Sequence, residues 1–343
     1  MTDPVRPPSA AARTAAARRI AELAKPTGAL GRIEDVAVWL AGCQDRCPPE
    51  PPQNVRAVVF AGDHGVAEYA VSAYPAAVTA AMVRMFHSGG AGVSVLARQH
   101  GVRLRVLDIG VDDDLADLPP AVREFKVGRS SGAIHLTDAL TAGEVTVALA
   151  AGRTVAEQEV EAGADLLISG DMGIGNTTPA AALIAAGLGL PAAELTGRGT
   201  GIDDDTLARK IDLIDRALAR AAGRFDDPVD LLAALGSADL ASSAAFMARA
   251  AELGVPVLLD GVVSVAAALV ADRLAPGAAQ WFVAGHRSTE PAQSLALDKL
   301  GLVPLLDLGM RLGEGSGAVA AVPLVRSAAL LLRDMALLSD VLG

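Results

Sequence analysis

Short apolar runs recur along the chain: "VRAVVF" (55–60), "VRLRVLDIG" (102–110), "ADLLISG" (164–170), "VPVLLDG" (255–261), "QWFVAG" (280–285) and "VPLLDLG" (303–309). Their apolar residues are consecutive rather than alternating, the pattern of strands buried on both faces. Alanine-rich segments of helical length lie between them. The alternation predicts an α/β fold with a doubly wound, mainly parallel sheet. In "DDDTLARKIDLIDRALAR" the residues Leu207, Ile211, Ile214 and Leu218 fall on one helical stripe, with Asp203 or Asp204 available as cap. In "HRSTEPAQSLALDKL", Ser288 is positioned to cap a helix and Pro291 to occupy its first turn, where a missing N–H costs nothing.

The two chain ends read as helix. Residues of roughly 10–47 carry a helical pattern, and so does "GAVAAVPLVRSAALLLRDMALL" at the other end. The stretch "PPEPP" (48–52) is a stiff linker. The expected layout is a helical part over 1–52, a large α/β domain over 53–312, and a segment 313–343 that returns to form a small helical lobe with the first. The N-terminal stretch has no apolar h-region. Asp3, the early prolines and Glu22 indicate an amphipathic helix after a loose tail rather than a secretory signal.

Composition narrows the partners. Lysine and arginine total 29 against 40 acids in 343 residues, a net charge of -11 that repels phosphate backbones and anionic lipid. Nucleic acid and membrane are therefore not expected as partners. Aromatic residues are only 3%, too few for a stacking platform. No run of roughly 18 uninterrupted apolar residues occurs. A small-molecule substrate is the better default. Cys43 and Cys47 read as free thiols in a reducing cytoplasm, and the five histidines, His64, His87, His100, His135 and His286, are scattered without metal-ligand spacing. No metal and no cofactor are expected.

Polar residues collect after the strands. Asp63, His64, Asp171, Asn176, Arg287, Glu290, Arg311 and Glu314 all follow apolar runs, and in an open parallel sheet such tips face one crevice. In "GDMGIGNTT" the glycines Gly170, Gly173 and Gly175 allow a tight turn into a helix whose free N–H groups suit a phosphate. No lysine follows at Walker spacing, and Thr178 replaces the third glycine of a dinucleotide fingerprint, so the loop points to a single phosphate. The turn "TGRGTGIDDD" (196–205) adds N–H groups ahead of Lys210, which is either a solvated charge or a phosphate partner. "GEGSG" (313–317) is not a serine-hydrolase elbow, since Glu314 stands where glycine belongs two before Ser316. A carboxylate between glycines is open to a ligand, as a general base must be, or else serves a helix dipole.

The segments "KPTGALGRIE" (25–34), "FAGDHGV" (60–66), "VSAYPAAVT" (71–79), "GGAGVSVLARQ" (89–99), "SGDMGIGNTTPAAAL" (169–183), "TGRGTGIDD" (196–204), "LDGVVSVAAALVA" (259–271), "HRSTEP" (286–291) and "LLDLGMRLGEGSGA" (305–318) resemble, in order, one family. It is nicotinate-nucleotide:dimethylbenzimidazole phosphoribosyltransferase, of the cobalamin lower-ligand pathway. The resemblance implies transfer of the phosphoribosyl group of nicotinate mononucleotide to a benzimidazole nitrogen, with release of nicotinate and inversion at the anomeric carbon. It implies no metal, a homodimer, and Glu314 as general base with Asp171 assisting. The phosphate falls to Gly173, Gly175, Asn176, Thr177, Gly199, Thr200, Gly201 and Lys210, and the benzimidazole to Ser72, Tyr74, Met82 and Leu312.

Two positions depart from the family pattern. Asp171 stands where a glutamate is common, and Ala81 where a glutamine is usual before Met82. Loss of that amide removes a hydrogen bond to the acceptor, so relaxed acceptor selectivity is expected. Two other readings compete: a non-catalytic nucleotide sensor, and a nucleosidase using water as acceptor.

Overall fold

The computed structural model describes residues 4–342, so Asp3 and the start of the expected tail, together with Gly343, lie outside the described residues. Helices α1 (Ala10–Glu22) and α2 (Arg32–Gln44) precede β1 (Val55–Gly62). Then come α3 (Val78–Ser88), α4 (Gly92–His100), β2 (Arg103–Gly110), α5 (Ala142–Glu161) and β3 (Leu166–Met172). Helices α6 (Thr177–Leu188), α7 (Ala192–Leu195), α8 (Asp204–Arg220), α9 (Pro228–Leu235) and α10 (Ala238–Glu252) lead to β4 (Val257–Leu259). The chain ends with α11 (Val262–Leu274), β5 (Phe282–Ala284), α12 (Pro291–Leu300), α13 (Ser316–Asp334) and α14 (Leu338–Leu342).

The strands form one parallel sheet in the order β2-β1-β3-β4-β5. Successive β1 side chains point to opposite faces. Val58 and Phe60 enter an apolar layer with α5, α6, α10 and α11, while Val55, Ala57 and Val59 enter a second layer with α1, α2, α4 and α13. This double burial is why the strand runs do not alternate with polar residues. Phe60 meets Phe246 of α10 edge-on at 5.4 Å, a contact worth about 0.5–1.5 kcal/mol beyond area burial.

The helices of both chain ends pack together, as expected. Arg19 of α1 donates to the Leu332 and Arg333 carbonyls of α13 at 2.7 and 3.0 Å, and Ala24 N–H donates to Ala336 O at 2.9 Å. The layer they form lies against one face of the sheet. Helix α13 is long and apolar enough by length to cross a bilayer, and its Val319, Val322, Val325 and Leu332 are buried in that layer.

Three expectations need correction. The run 303–309 contributes a single bridge between Leu306 and His286 rather than a sixth strand, since Pro304 has no N–H to donate and Gly309 turns the chain away with φ 66°. Helix α8 is capped by Asp203, whose carboxylate accepts Thr206 N–H at 2.9 Å, yet its most buried residues are Lys210, Leu213, Ile214 and Ala217. Leu207, Ile211 and Leu218 are half-buried, because the lysine amine is drawn inward. Helix α12 starts at Pro291 after Glu290, and the Ser288 hydroxyl accepts Glu290 N–H at 3.3 Å instead of capping the helix itself.

Candidate active site

The strand order reverses between β1 and β3, and in open α/β sheets ligands bind outside the strand ends at such a point. A cleft opens there. Its walls come from the segment after β3 (Asp171, Gly173 to Thr177), the start of α11, the segment after β5 (His286, Ser288, Glu290), the turn Arg311 to Gly313, and the loop at Gly199 and Thr200.

The two glycine loops line this cleft side by side, and a Cβ on Gly199 would stand 3.2 Å from Thr177 Oγ1. Asn176 precedes α6 and leaves its cap position unused; its amide instead donates to Asp171 Oδ2 at 2.5 Å. Thr200 Oγ1 accepts Ala73 N–H at 3.0 Å and lies 3.3 Å from Ser72 Oγ, tying the second loop to residues 72–73. Glu290 holds the same loop from below, accepting Gly199 N–H at 2.7 Å, and Arg311 donates to Gly199 O at 3.1 Å from above.

Lys210 is buried behind the first loop. Its ammonium donates to Thr177 Oγ1 at 2.8 Å and Gly197 O at 3.2 Å. Burial pushes it down to about 8, against the opposing pull of Glu290. Of the two readings open in the sequence, the solvated charge is excluded.

The acids gather beside the first loop, where Asn176 meets Asp171. Asp171 is driven well above the usual carboxylate range by burial, then by the charges of Asp260, Asp239 and Glu314, with Asn176 opposing. Glu314 is raised by burial and by Asp260, while the Val93 N–H, 3.0 Å from Oε2, holds it down. Glu314 is 5% exposed, so the open carboxylate expected from its glycine neighbours is in fact enclosed. It adopts φ 66°, a left-handed conformation that non-glycine residues rarely take and that clusters at functional sites. Asp260 fixes this turn by accepting Gly315 N–H at 3.1 Å and Ala318 N–H at 2.9 Å.

Of the residues expected at the phosphate, Gly173, Gly175, Asn176, Thr177, Gly199 and Thr200 line the cleft. Gly201 sits outside, beside the Arg311 guanidinium, and Lys210 lies one side chain behind. Ser72 and Leu312 line the cleft, whereas Tyr74 is 56% exposed and Met82 packs into the core. Two of the polar strand tips point elsewhere: Asp63 accepts Asp112 N–H and Arg287 donates to Ser294 Oγ. His64 is buried behind the first loop, 3.7 Å from Asp239, where a Cβ on Gly173 would stand 2.7 Å from its Nε2. Asp260 was missed, although an acid closing the apolar run "VLLDG" was a visible signal. Asp239 gave none, since it arrives from a helix.

The family model described as Phosphoribosyltransferase matches residues 5–341. The nicotinate-nucleotide--dimethylbenzimidazole phosphoribosyltransferase of Mycobacterium marinum is 52% identical over 337 residues, 98% of this chain and 94% of that protein. That of Mycobacterium avium is 54% identical over 332 residues, 97% and 95% of the two chains. The crystal structure of CobT from Thermus thermophilus superposes with a TM-score of 0.92 at 43% identity, covering 96% of this chain and 98% of that one. With sequence and fold agreeing over nearly the whole length, the chain belongs to the nicotinate-nucleotide–dimethylbenzimidazole phosphoribosyltransferase family and is an enzyme of pentosyl transfer.

Proposed function

We propose that this enzyme transfers the phosphoribosyl group of nicotinate mononucleotide to 5,6-dimethylbenzimidazole or a related base, giving nicotinate and α-ribazole 5′-phosphate with inversion at the anomeric carbon. The observation that carries the reading is one cleft lined by the two glycine loops, Asp171 and the turn Arg311 to Gly313, with the Lys210 ammonium behind Thr177 and the enclosed Glu314 directly after that turn. On this reading the 5′-phosphate lies against Gly173, Gly175, Asn176, Thr177, Gly199 and Thr200, with Lys210 behind Thr177 and Gly201 at the outer edge. Ser72 and Leu312 meet the acceptor. Tyr74, whose N–H donates to Ser72 Oγ at 3.2 Å, and Met82 frame its approach. A homodimer and a cytoplasmic location belong to the same reading.

The azole lone pair forms the new bond to C1′ as the bond from C1′ to the pyridinium nitrogen breaks. That electron pair returns to the ring, so nicotinate leaves neutral at nitrogen and needs no acid. The azole N–H proton passes to Glu314. Raising the basicity of this carboxylate brings it closer to the working pH, where a general base is most effective. Asp171, raised by burial and by the neighbouring acids, accepts the Asn176 amide at Oδ2 and assists beside Glu314. Alignment of the two substrates supplies about 7 kcal/mol or more where the geometry is near attack.

E314Q tests the assignment. Turnover is expected to fall by about 10²–10⁴-fold while calorimetry still shows mononucleotide binding. Unchanged turnover would sink the assignment, a sensor would show no turnover to lose, and nicotinate release without any azole would make the protein a nucleosidase. Ala81 carries the acceptor prediction. With no amide on this exposed position of α3, dimethylbenzimidazole, adenine and phenols offered together should yield mixed products. A single product would refute relaxed selectivity.

A further inference from the structure

Helix α4 starts at Gly92 with Ala91 as its N-cap, and alanine offers no side-chain acceptor to the free N–H groups of a first turn. The acceptor comes instead from 221 residues away: the Val93 N–H donates to Glu314 Oε2 at 3.0 Å, with both residues buried. At the start of α13, two residues after Glu314, the N-cap Gly315 and Ala318 N–H go to Asp260 and the Ser316 N–H to Gly313 O. Among the described residues Oε1 of Glu314 has no hydrogen-bond partner, so one carboxylate oxygen is held and the other is free. The helix start is also shaped for this contact, since a Cβ on Gly92 would stand 2.6 Å from Leu312 Cδ2 and 3.4 Å from Glu314 Oε2.

We infer that the N-terminus of α4 is the positioning element for the general base: the Val93 N–H anchors Oε2 and turns Oε1 toward the azole proton. The inference rests on Glu314 being the base. The charged groups facing Glu314 are Asp171 from the end of β3 and Asp260 from the end of β4, the latter 3.4 Å from His286. The first turns of α4 (Gly92, Val93, Ser94) and α13 (Ser316, Gly317, Ala318) bring no charged side chain. Among the described residues the Val93 N–H is the donor that favours the ionised carboxylate against burial and the charge of Asp260.

V93P deletes this donor in a first turn, where proline is tolerated. The acid limb of its kcat profile is expected to lie about one to two pH units above that of the wild type, and the alkaline plateau to fall as Oε1 loses its aim. V93A, which loses side-chain bulk but keeps the N–H, should keep the wild-type limb. A V93P limb at the wild-type pH overturns the inference, whatever the plateau. Should V93P fail to fold, the unsubstituted protein with 15N-labelled valine decides. The Val93 amide proton shift, assigned by its loss in V93A, should titrate with Glu314 and stay flat in E314Q. A Val93 shift flat in both proteins overturns the inference as well. Failure of the base reading itself looks different, because E314Q would then retain its turnover.

Discussion

Lys210 shows how far burial changes one residue. Its ammonium, lowered from the ordinary 10.5 to about 8, is half ionised near the upper end of the physiological range. A phosphate dianion favours the charged form, so mononucleotide affinity should be greatest below about pH 8 and fall as pH rises through it. Calorimetry at pH 7 and pH 9 should show about tenfold weaker binding at the higher value, and K210M should abolish the dependence. A pH-independent affinity in the wild type would remove Lys210 from the phosphate site. Unfolding does not mimic this loss. Between about 8 and 10.5 the unfolded chain binds more protons at this lysine than the folded one, so its contribution to stability rises with pH. The residue types of the site were legible from the glycine loops and their acids. The inward course of Lys210 was not, because a lysine on an amphipathic helix reads as solvated until a hydroxyl on another helix is found within reach of its amine.

Among the elements, β3 and the turn before α13 depend on each other most closely. A Cβ on Gly170 would lie 2.4 Å from the Glu314 carbonyl oxygen and 3.0 Å from Gly315 N, backbone atoms that cannot rotate aside. G170A should therefore cost about 1–3 kcal/mol, read from the urea midpoint, and displace the Glu314 turn so that kcat falls far more than stability does. Wild-type kcat in G170A would show that this approach does not matter to the chemistry. In the sequence this glycine reads as a turn residue; in the fold it is a strand residue that admits another segment's backbone. Element boundaries followed the same division. Helix α8 ends up capped by Asp203, one of the two caps its local pattern offered, whereas the apolar run at 303–309, interrupted by Pro304 and Gly309, forms one bridge.

Across the whole molecule, the layers and the joined chain ends follow from burial. The terminal helices α1, α2 and α13 cover one face of the sheet and the central helices the other, so the Glu314 turn enters the cleft on the start of a helix from the terminal layer. The glycine loop after β3 arrives from the opposite layer on α6. The two segments are thereby brought to one edge from both sides of the sheet, at the point where strand order reverses. By itself the amino-acid order determined the fold class, the alternation of strands and helices, and the glycine loops with their acids, because periodicity and turn chemistry act between near neighbours. Only the tertiary structure decided which polar tips converge, that Asp63 and Arg287 turn away, that Lys210 is buried, and that Glu314 supplies the acceptor Ala91 lacks. Those outcomes depend on desolvation and on hydrogen bonds between residues far apart in the chain, and no local pattern carries them.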